Sequence, residues 1–456
     1  MSTLVGALRE ALSVPQVTIN ETVLELHSKD ESYHQAVKPE VVVYPYHAQD
    51  VSNMMKVAQT FNRPIYPFGL GTSLEGLVIP REDGISVDFS EMNNIIEIKE
   101  KDFLVTVQPG VTRTQLNNEL KKYGLFFPVD PGADATMGGM AATNASGTTS
   151  VRYGTMRDQV RNLEVILADG SIIQTGSSAA KSSSGYHLNG LFVGSEGTLG
   201  CFTSITLKVY GIPEHIVAGR AVFPTVHDAV AAVVSILQAG IPIARVELVD
   251  EASIQKVNEF SETTYPVKPT LFLEFHGNEA GKHDVAFTKE IVSDHGCQAI
   301  EFEHTNAARN KLWDARHNLA YAFIHSNPGK KMMVTDVCVP ISQLADAINY
   351  ARQAVDQSIL EGGIAGHVGD GNYHIILMFD PNHDADVKAA TAINEAIVSQ
   401  ALAVGGTCTG EHGVGIGKQK YQQEEHGEAL AVMQKIKQAI DPQNRLNPDK
   451  LVQVKE

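Results

Sequence analysis

The chain has 456 residues, 43% of them hydrophobic and 20% charged. That is ordinary globular composition at a length beyond one hydrophobic core, so two or three domains are expected. A net charge of −17, from 36 basic and 53 acidic residues, opposes non-specific binding to nucleic acid. No apolar run approaches the roughly 18 residues of a spanning helix. The first residues lack the basic and apolar regions of a secretory signal. Cys201, Cys297, Cys338 and Cys408 form no C-x-x-C pair and read as reduced thiols. The expectation is a cytoplasmic protein, with peripheral contact at the inner face of a membrane left open.

Residues 1–38 are polar and helix-forming and read as an N-terminal helical arm. From Pro39 the texture changes. A β-branched run at 41–44 is followed by a helix through Ala58 that Asp50 or Ser52 would cap, and then by a strand at 65–68. Further strands fall at 85–88, 95–98 and 104–107, and a helix over 111–123 stops at Gly124. Residues 163–174 read as a hairpin, because Asp169-Gly170 supplies its positive-φ turn. A boundary falls near Pro213. Beyond it strands at 245–249 and 270–275 flank a helix. A long helix covers 306–324, a strand 332–339 and a helix 342–358. Strands at 363–367 and 374–378 bracket a polar loop, and 384–404 is helical. This alternation predicts an α+β second domain over 214–410, with 411–456 as a C-terminal helical segment.

Three glycine-rich stretches mark the first half. The first, Pro67-Phe68-Gly69-Leu70-Gly71-Thr72-Ser73, follows a strand. Glycine lets backbone N–H groups turn toward an anion, and Thr72 and Ser73 add hydroxyls. No helix follows it and it has no P-loop lysine, so taken alone an ordinary connecting loop outweighs phosphate binding. The second runs from Asp130-Pro131-Gly132-Ala133 through Thr136, Gly138, Gly139, Thr143 and Ser146 to Gly147. Its tiny residues permit close approach of a flat ligand, or of another backbone. The third, Gly194-Ser195-Glu196-Gly197-Thr198-Leu199-Gly200, alone could be a hairpin.

The second half carries a sharper constellation. His367 and His374 sit seven residues apart across a glycine-rich turn, and Glu411-His412 follows Gly410. Two imidazoles and a carboxylate with open positions suit a divalent metal such as Zn²⁺, Mn²⁺ or Fe²⁺. Plain hydrogen-bonding roles are the alternative, and they lose weight because three histidines and a glutamate share glycine settings. Trp313 is followed one helical turn later by Arg316, which could clamp a carboxylate. Lys331 opens a strand that carries Thr335 and Asp336.

Taken together, the three glycine stretches in this order resemble the flavin-binding domain of the vanillyl-alcohol oxidase and p-cresol methylhydroxylase superfamily. Trp313-x-x-Arg316, the segment 335–340, Gly366-His367 through His374, and Gly410-Glu411-His412-Gly413 resemble the FAD-linked D-2-hydroxy acid dehydrogenases, which include cytochrome-type D-lactate dehydrogenase and the glycolate oxidase D subunit. The resemblance runs from about Pro39 to Leu451. It implies a two-subdomain p-cresol methylhydroxylase-type FAD-binding domain over 39–213 and a ferredoxin-like substrate, or cap, domain, with 411–456 returning to the FAD domain. It implies FAD contacts at Pro67, Phe68, Gly69, Leu70, Gly71, Thr72, Ser73, Asp130, Pro131, Gly132, Ala133, Thr136, Gly138, Gly139, Thr143, Ser146, Glu196, Gly197 and Thr198. Flavinylated members often have a histidine where Thr72 stands, so FAD is expected to be noncovalent. The resemblance further implies a divalent metal on His367, His374 and Glu411, His412 as the base, and Arg316 and Lys331 as substrate contacts.

Ala320 and Ile376 stand where a dicarboxylate-specific branch has polar groups. That favours D-lactate over D-2-hydroxyglutarate. The expected reaction is oxidation of a small D-2-hydroxy acid to the 2-oxo acid. The chain has no haem motif and no iron–sulfur cysteine cluster, so the acceptor is expected to be external: a quinone, a cytochrome, an electron-transfer flavoprotein or oxygen. A glycolate oxidase catalytic subunit, a non-redox flavoenzyme like alkylglycerone-phosphate synthase, and a homodimer stay open.

Overall fold

The computed structural model describes residues 3–278 and 281–454. The chain divides into two compact units: Met1–Ser146, Gly154–Ile212 and Glu411–Glu456 form the first, and Gly147–Tyr153 with Pro213–Gly410 form the second. The α+β expectation holds in both.

In the first unit, β1 (Val17–Thr18), β2 (Val41–Val43), β3 (Ile65–Phe68) and β4 (Ile85–Asp88) form a sheet in the order β1-β2-β4-β3. Strand β4 runs parallel to both β2 and β3. A parallel sheet is covered on both faces, and accordingly every residue of β2 and β4 is buried. The helix Ala48–Phe61 makes the crossover from β2 to β3. Asp50 does not cap it from outside as expected. It sits in the first turn, and its carboxylate accepts from the backbone N–H of Tyr46 (2.9 Å) and His47 (3.1 Å). Residues 1–38 contribute a strand as well as helices. The helix Leu4–Ala11 buries Leu4 and Leu8 in the same core, and β1 joins the sheet through β2.

A second sheet holds β5 (Ile95–Lys99), β6 (Leu104–Val107), β8 (Val160–Ile166), β9 (Ile172–Gln174) and β10 (Cys201–Lys208), in the order β5-β6-β10-β8-β9. The short strands β7 (Leu125–Phe126) and β11 (Tyr210–Gly211) pair beside it. Asp169-Gly170 turns β8 into β9, with Gly170 at φ 84°.

The second unit is built on one antiparallel sheet of β12 (His215–Val222), β13 (Ile243–Val249), β14 (Thr270–Gly277), β15 (Ala299–Glu303), β16 (Lys331–Val334), β17 (Val337–Cys338), β18 (Glu361–His367) and β19 (Asn372–Phe379). Its order is β15-β12-β14-β13-β18-β19-β16, with β17 also on β19. The first four strands lie in the spatial order 4-1-3-2, which is the ferredoxin-like arrangement. The rest repeats it: β16–β17, a helix, β18, β19, a helix, and a last strand reduced to one bridge, Cys338 to Thr407. The two halves join through their second strands, Leu248 opposite Gly366 and Val249 opposite Ala365.

Two elements differ from expectation. The helix over 306–324 is two helices, Asn306–His317 and Leu319–Ser326, broken at Asn318. The strand over 332–339 is interrupted at Thr335 and Asp336: Thr335 N still donates to Ile375 O (3.0 Å) but its carbonyl turns to the His374 ring, and Asp336 gives its carboxylate to Asn372 and Thr409. Residues 147–153, which fell inside the expected flavin-binding span, lie with the second unit. The helix Ser150–Tyr153 packs on β13, and Arg152 donates to Pro242 O (2.8 Å) and to His276 O. Among the described residues, no helix is long and apolar enough to cross a membrane.

Candidate active site

In the first unit the three glycine stretches converge. Gly69 lies so near Thr136 that a Cβ on it would stand 2.7 Å from Thr136 Oγ1. Gly197, at φ 70°, would place a Cβ 2.7 Å from the Pro67 ring. Gly194 and Glu196 donate their backbone N–H groups to Ala141 O (2.9 Å) and Ala142 O (2.8 Å). Thr136 caps the helix Met137–Thr143 by accepting from Gly139 N (3.2 Å). Gly138 is a packing glycine, because its Cβ would meet Pro109 at 2.6 Å, whereas around Gly132, at φ 82°, a Cβ meets nothing within 4 Å.

Several expected cofactor residues spend their side chains on the protein. Ser73 Oγ donates to Asp30 (2.6 Å), Thr143 Oγ1 to Gly139 O (3.2 Å), Thr198 Oγ1 to Ser195 O (2.6 Å) and Ser146 Oγ to Glu411 Oε2 (2.8 Å). Asp130 pairs with Arg113 (3.2 Å). Glu196 is buried and accepts from the backbone N–H of Val414 (2.6 Å) and Gly415 (2.9 Å). Burial pushes its carboxyl up to about 7, against the pull of those two donors. Its role is to fasten the returning C-terminal segment. Ser195 Oγ is a buried hydroxyl with no hydrogen-bond partner. An unspent hydroxyl among close-approach glycines fits an acceptor-rich ligand such as a dinucleotide.

No motif or periodicity signals the lock behind this site. Lys437, with a side chain only 1% exposed, donates to Thr198 O (2.8 Å), Leu446 O (2.7 Å) and Asp441 Oδ2 (2.6 Å). Asn447 Nδ2 donates to Glu196 O (2.6 Å).

In the second unit, strand alternation and register put Arg245, Glu247, Val249, Phe272, Glu274, His276, Ala365, His367, His374, Ile376 and Met378 on one sheet face. The face is split. Val249, Phe272, Ala365, Ile376 and Met378 pack under Leu312, Trp313, Leu319 and Phe323, with Ala320 against them. The charged and imidazole side chains make up the rest.

His367 and His374 come together with ring centroids 5.4 Å apart at 79°. His367 Nδ1 lies 2.6 Å from Glu247 Oε1, and His374 Nδ1 lies 3.1 Å from Thr335 O. Both neighbours are acceptors, so Nδ1 carries a proton in each ring, and in the neutral imidazole the lone pair then sits on Nε2. That is the tautomer of a metal-ligating histidine braced by a carboxylate or carbonyl, so these imidazoles fit a divalent metal. Arg316 Nη2 donates to the other oxygen of Glu247 (2.8 Å). Asp336 accepts from Asn372 Nδ2 (2.8 Å) and Thr409 Oγ1 (2.7 Å), which fixes the chain just ahead of Gly410.

Beside them, Glu274 accepts from Trp313 Nε1 (2.6 Å) and pairs with His276 (2.7 Å), whose Nδ1 meets Tyr153 Oη (2.8 Å). Trp313 and Arg316 are thus bonded to buried carboxylates on adjacent strands. Glu247 and Glu274 belong to none of the sequence motifs. The available signal was a carboxylate inside each apolar strand.

Glu411 and His412 open the third segment of the first unit, with His412 Nε2 3.9 Å from Glu411 Oε1. Lys331 does not join the histidines. It is exposed at the start of β16 opposite Phe379, five residues beyond His374, or roughly 16 Å along the strand.

Converging glycine loops in one unit and a sheet with paired imidazoles in the other are the features of a FAD-binding oxidoreductase. The comparisons make that specific. A family model described as "FAD binding domain" matches residues 39–176, and "FAD linked oxidases, C-terminal domain" matches residues 212–451. The chain is 45% identical to "Probable D-lactate dehydrogenase, mitochondrial" of Danio rerio, over 99% of this chain and 92% of that one. It is 42% identical to "D-lactate dehydrogenase [cytochrome], mitochondrial" of Arabidopsis thaliana, over 93% and 76%. The fold resembles p-cresol methylhydroxylase, with a TM-score of 0.82 at 16% identity over 99% and 96% of the two chains. The chain belongs to the FAD-linked D-2-hydroxy acid dehydrogenase family.

Proposed function

We propose that this chain oxidises D-lactate, or a similarly short D-2-hydroxy acid, to the 2-oxo acid. The observation that carries the reading is the pair His367 and His374, each braced at Nδ1 and presenting Nε2, in a chain so similar to two named D-lactate dehydrogenases. FAD would be held by the loop of Pro67, Phe68, Gly69, Leu70, Gly71 and Thr72, by Gly132, Ala133, Thr136 and Gly139, and by Ser195, Gly197 and Thr198. The attachment is noncovalent, because Thr72 offers no imidazole; acid precipitation should release the flavin into the supernatant. A divalent metal would be held by His367, His374 and Glu411. When bound, FAD accepts two electrons and the metal polarises the 2-hydroxyl as a Lewis acid.

The protein's own groups do the rest. Arg316, steadied by Glu247, meets the C1 carboxylate. His412 takes the 2-hydroxyl proton as the C2 hydrogen leaves with its electron pair. Ala320 and Ile376 lie in an apolar cluster, which offers a second carboxylate no partner. The electrons pass on to an external acceptor, a cytochrome first, with a quinone or electron-transfer flavoprotein as the alternatives. A quinone would bring the chain to the inner face of a membrane as a peripheral protein.

The test is anaerobic mixing with D-lactate, L-lactate, glycolate and D-2-hydroxyglutarate while flavin absorbance is followed. D-lactate should bleach the flavin fastest and L-lactate should not bleach it. A flavin that no 2-hydroxy acid reduces would overturn the reading. His412→Ala should keep FAD and slow reduction by about 10²–10⁴-fold, the usual worth of a general base. Full activity in a strictly metal-free protein would remove the metal from the scheme.

A further inference from the structure

We propose that Glu247 is a positioning residue that sets the metal affinity of His367 and the orientation of Arg316 together. This rests on the reading of His367 as a metal ligand. Glu247 has a fully buried side chain. Oε1 meets His367 Nδ1 at 2.6 Å and Oε2 meets Arg316 Nη2 at 2.8 Å. One carboxylate therefore spans the ligand and the carboxylate clamp. Each oxygen of the Glu247 carboxylate faces an N–H donor, His367 Nδ1 on one side and Arg316 Nη2 on the other. It accordingly stays an acceptor. It fixes the His367 proton on Nδ1, orients the ring and raises the basicity of Nε2.

His374 is braced differently. Its Nδ1 faces the backbone carbonyl of Thr335, which no side-chain substitution removes. The Asp336 carboxylate lies farther from the same nitrogen, at 3.6 Å, so among the described residues Glu247 is the carboxylate that comes within hydrogen-bond distance of an Nδ1 of this pair. The same contact ties Arg316 to the sheet through one nitrogen of the guanidinium fork.

The test measures Zn²⁺ binding to the FAD-loaded protein after chelator treatment, by competition with a chelating dye, alongside steady-state D-lactate kinetics. Glu247→Gln should keep its flavin spectrum, lose 10–100-fold in Zn²⁺ affinity and lower kcat, with excess Zn²⁺ restoring part of the loss. Arg316→Met should raise KM while leaving Zn²⁺ affinity within about twofold of wild type, because His367 keeps its brace. If Glu247→Gln misfolds because Arg316 is left without its partner, the double variant Glu247→Gln/Arg316→Met removes that charge, and it should still bind Zn²⁺ weakly. Wild-type Zn²⁺ affinity in a folded Glu247→Gln or double variant overturns the proposal and leaves the metal reading standing. Failure of the wild-type protein to bind Zn²⁺ at all overturns that reading instead.

Discussion

Single residues in this molecule are constrained mainly by what they bond when buried. Burial pushes the Glu274 carboxyl up, but the hydrogen bond from His276, the nearby Arg245 charge and the Trp313 donor outweigh it and hold the group below its ordinary range. A carboxyl with a depressed folded pKa binds protons more weakly folded than unfolded. Its stabilisation is fully present above the unfolded value near 4.5 and is lost as pH falls through the folded one. Glu274→Gln should therefore flatten the acid side of the stability curve. Urea midpoints measured from pH 6 down to pH 3 would show it, and equal slopes in variant and wild type would contradict it. Gly197 is constrained by space rather than charge. It stands at φ 70° with the Pro67 ring 2.7 Å from any Cβ. Gly197→Ala should cost about 1–3 kcal/mol in strained backbone and steric contact and weaken FAD retention during gel filtration.

At the scale of elements, the helix Asn306–His317 shows how two side chains dock a whole segment. Trp313 and Arg316 lie one turn apart and reach buried carboxylates on β14 and β13. Trp313→Phe would retain the packing against Phe272 and Leu312 but leave Glu274 without one donor. The expected loss is about 1–3 kcal/mol, read as a lower urea midpoint; an unchanged midpoint would show that water replaces the indole N–H. The Trp313-x-x-Arg316 spacing was legible in sequence, and its purpose was not, because both partners are remote in the chain. The strands carrying His367 and His374 were legible for a similar local reason: alternation and a glycine turn fix them. The breaks at Asn318 and at Thr335-Asp336 were not. Asn318 sits in an otherwise continuous helical pattern, and the regular ladder breaks at Thr335 and Asp336 for bonds to His374, Asn372 and Thr409 that no local rule foresees.

At the scale of the whole molecule, the chain completes its first unit last. Residues 411–456 supply the N–H groups that satisfy Glu196, the Lys437 ammonium on Thr198 O, and Asn447 on Glu196 O. These bonds converge on the third glycine stretch, 194–200, which therefore depends on residues more than 200 positions away. Propensity and periodicity report only neighbours, which is why the glycine loops were visible in sequence as motifs while the lock behind them was not. A chain ended at Gly410 should keep the strands of the first unit but leave buried Glu196 without its donors. A buried carboxyl stripped of its donors costs about 1–3 kcal/mol and the third glycine stretch loses its anchor, so the truncated chain should purify without flavin. Lys437→Met isolates one part of this effect. It leaves Asp441 buried against Leu446 N alone and should cost about 3–5 kcal/mol, with FAD retained at saturating concentration and lost on dilution. The ratio of flavin to protein absorbance, followed through serial dilution, measures both. A truncated chain with full flavin content would show that the glycine loops hold their shape without the returning segment, and the lock would then serve stability alone.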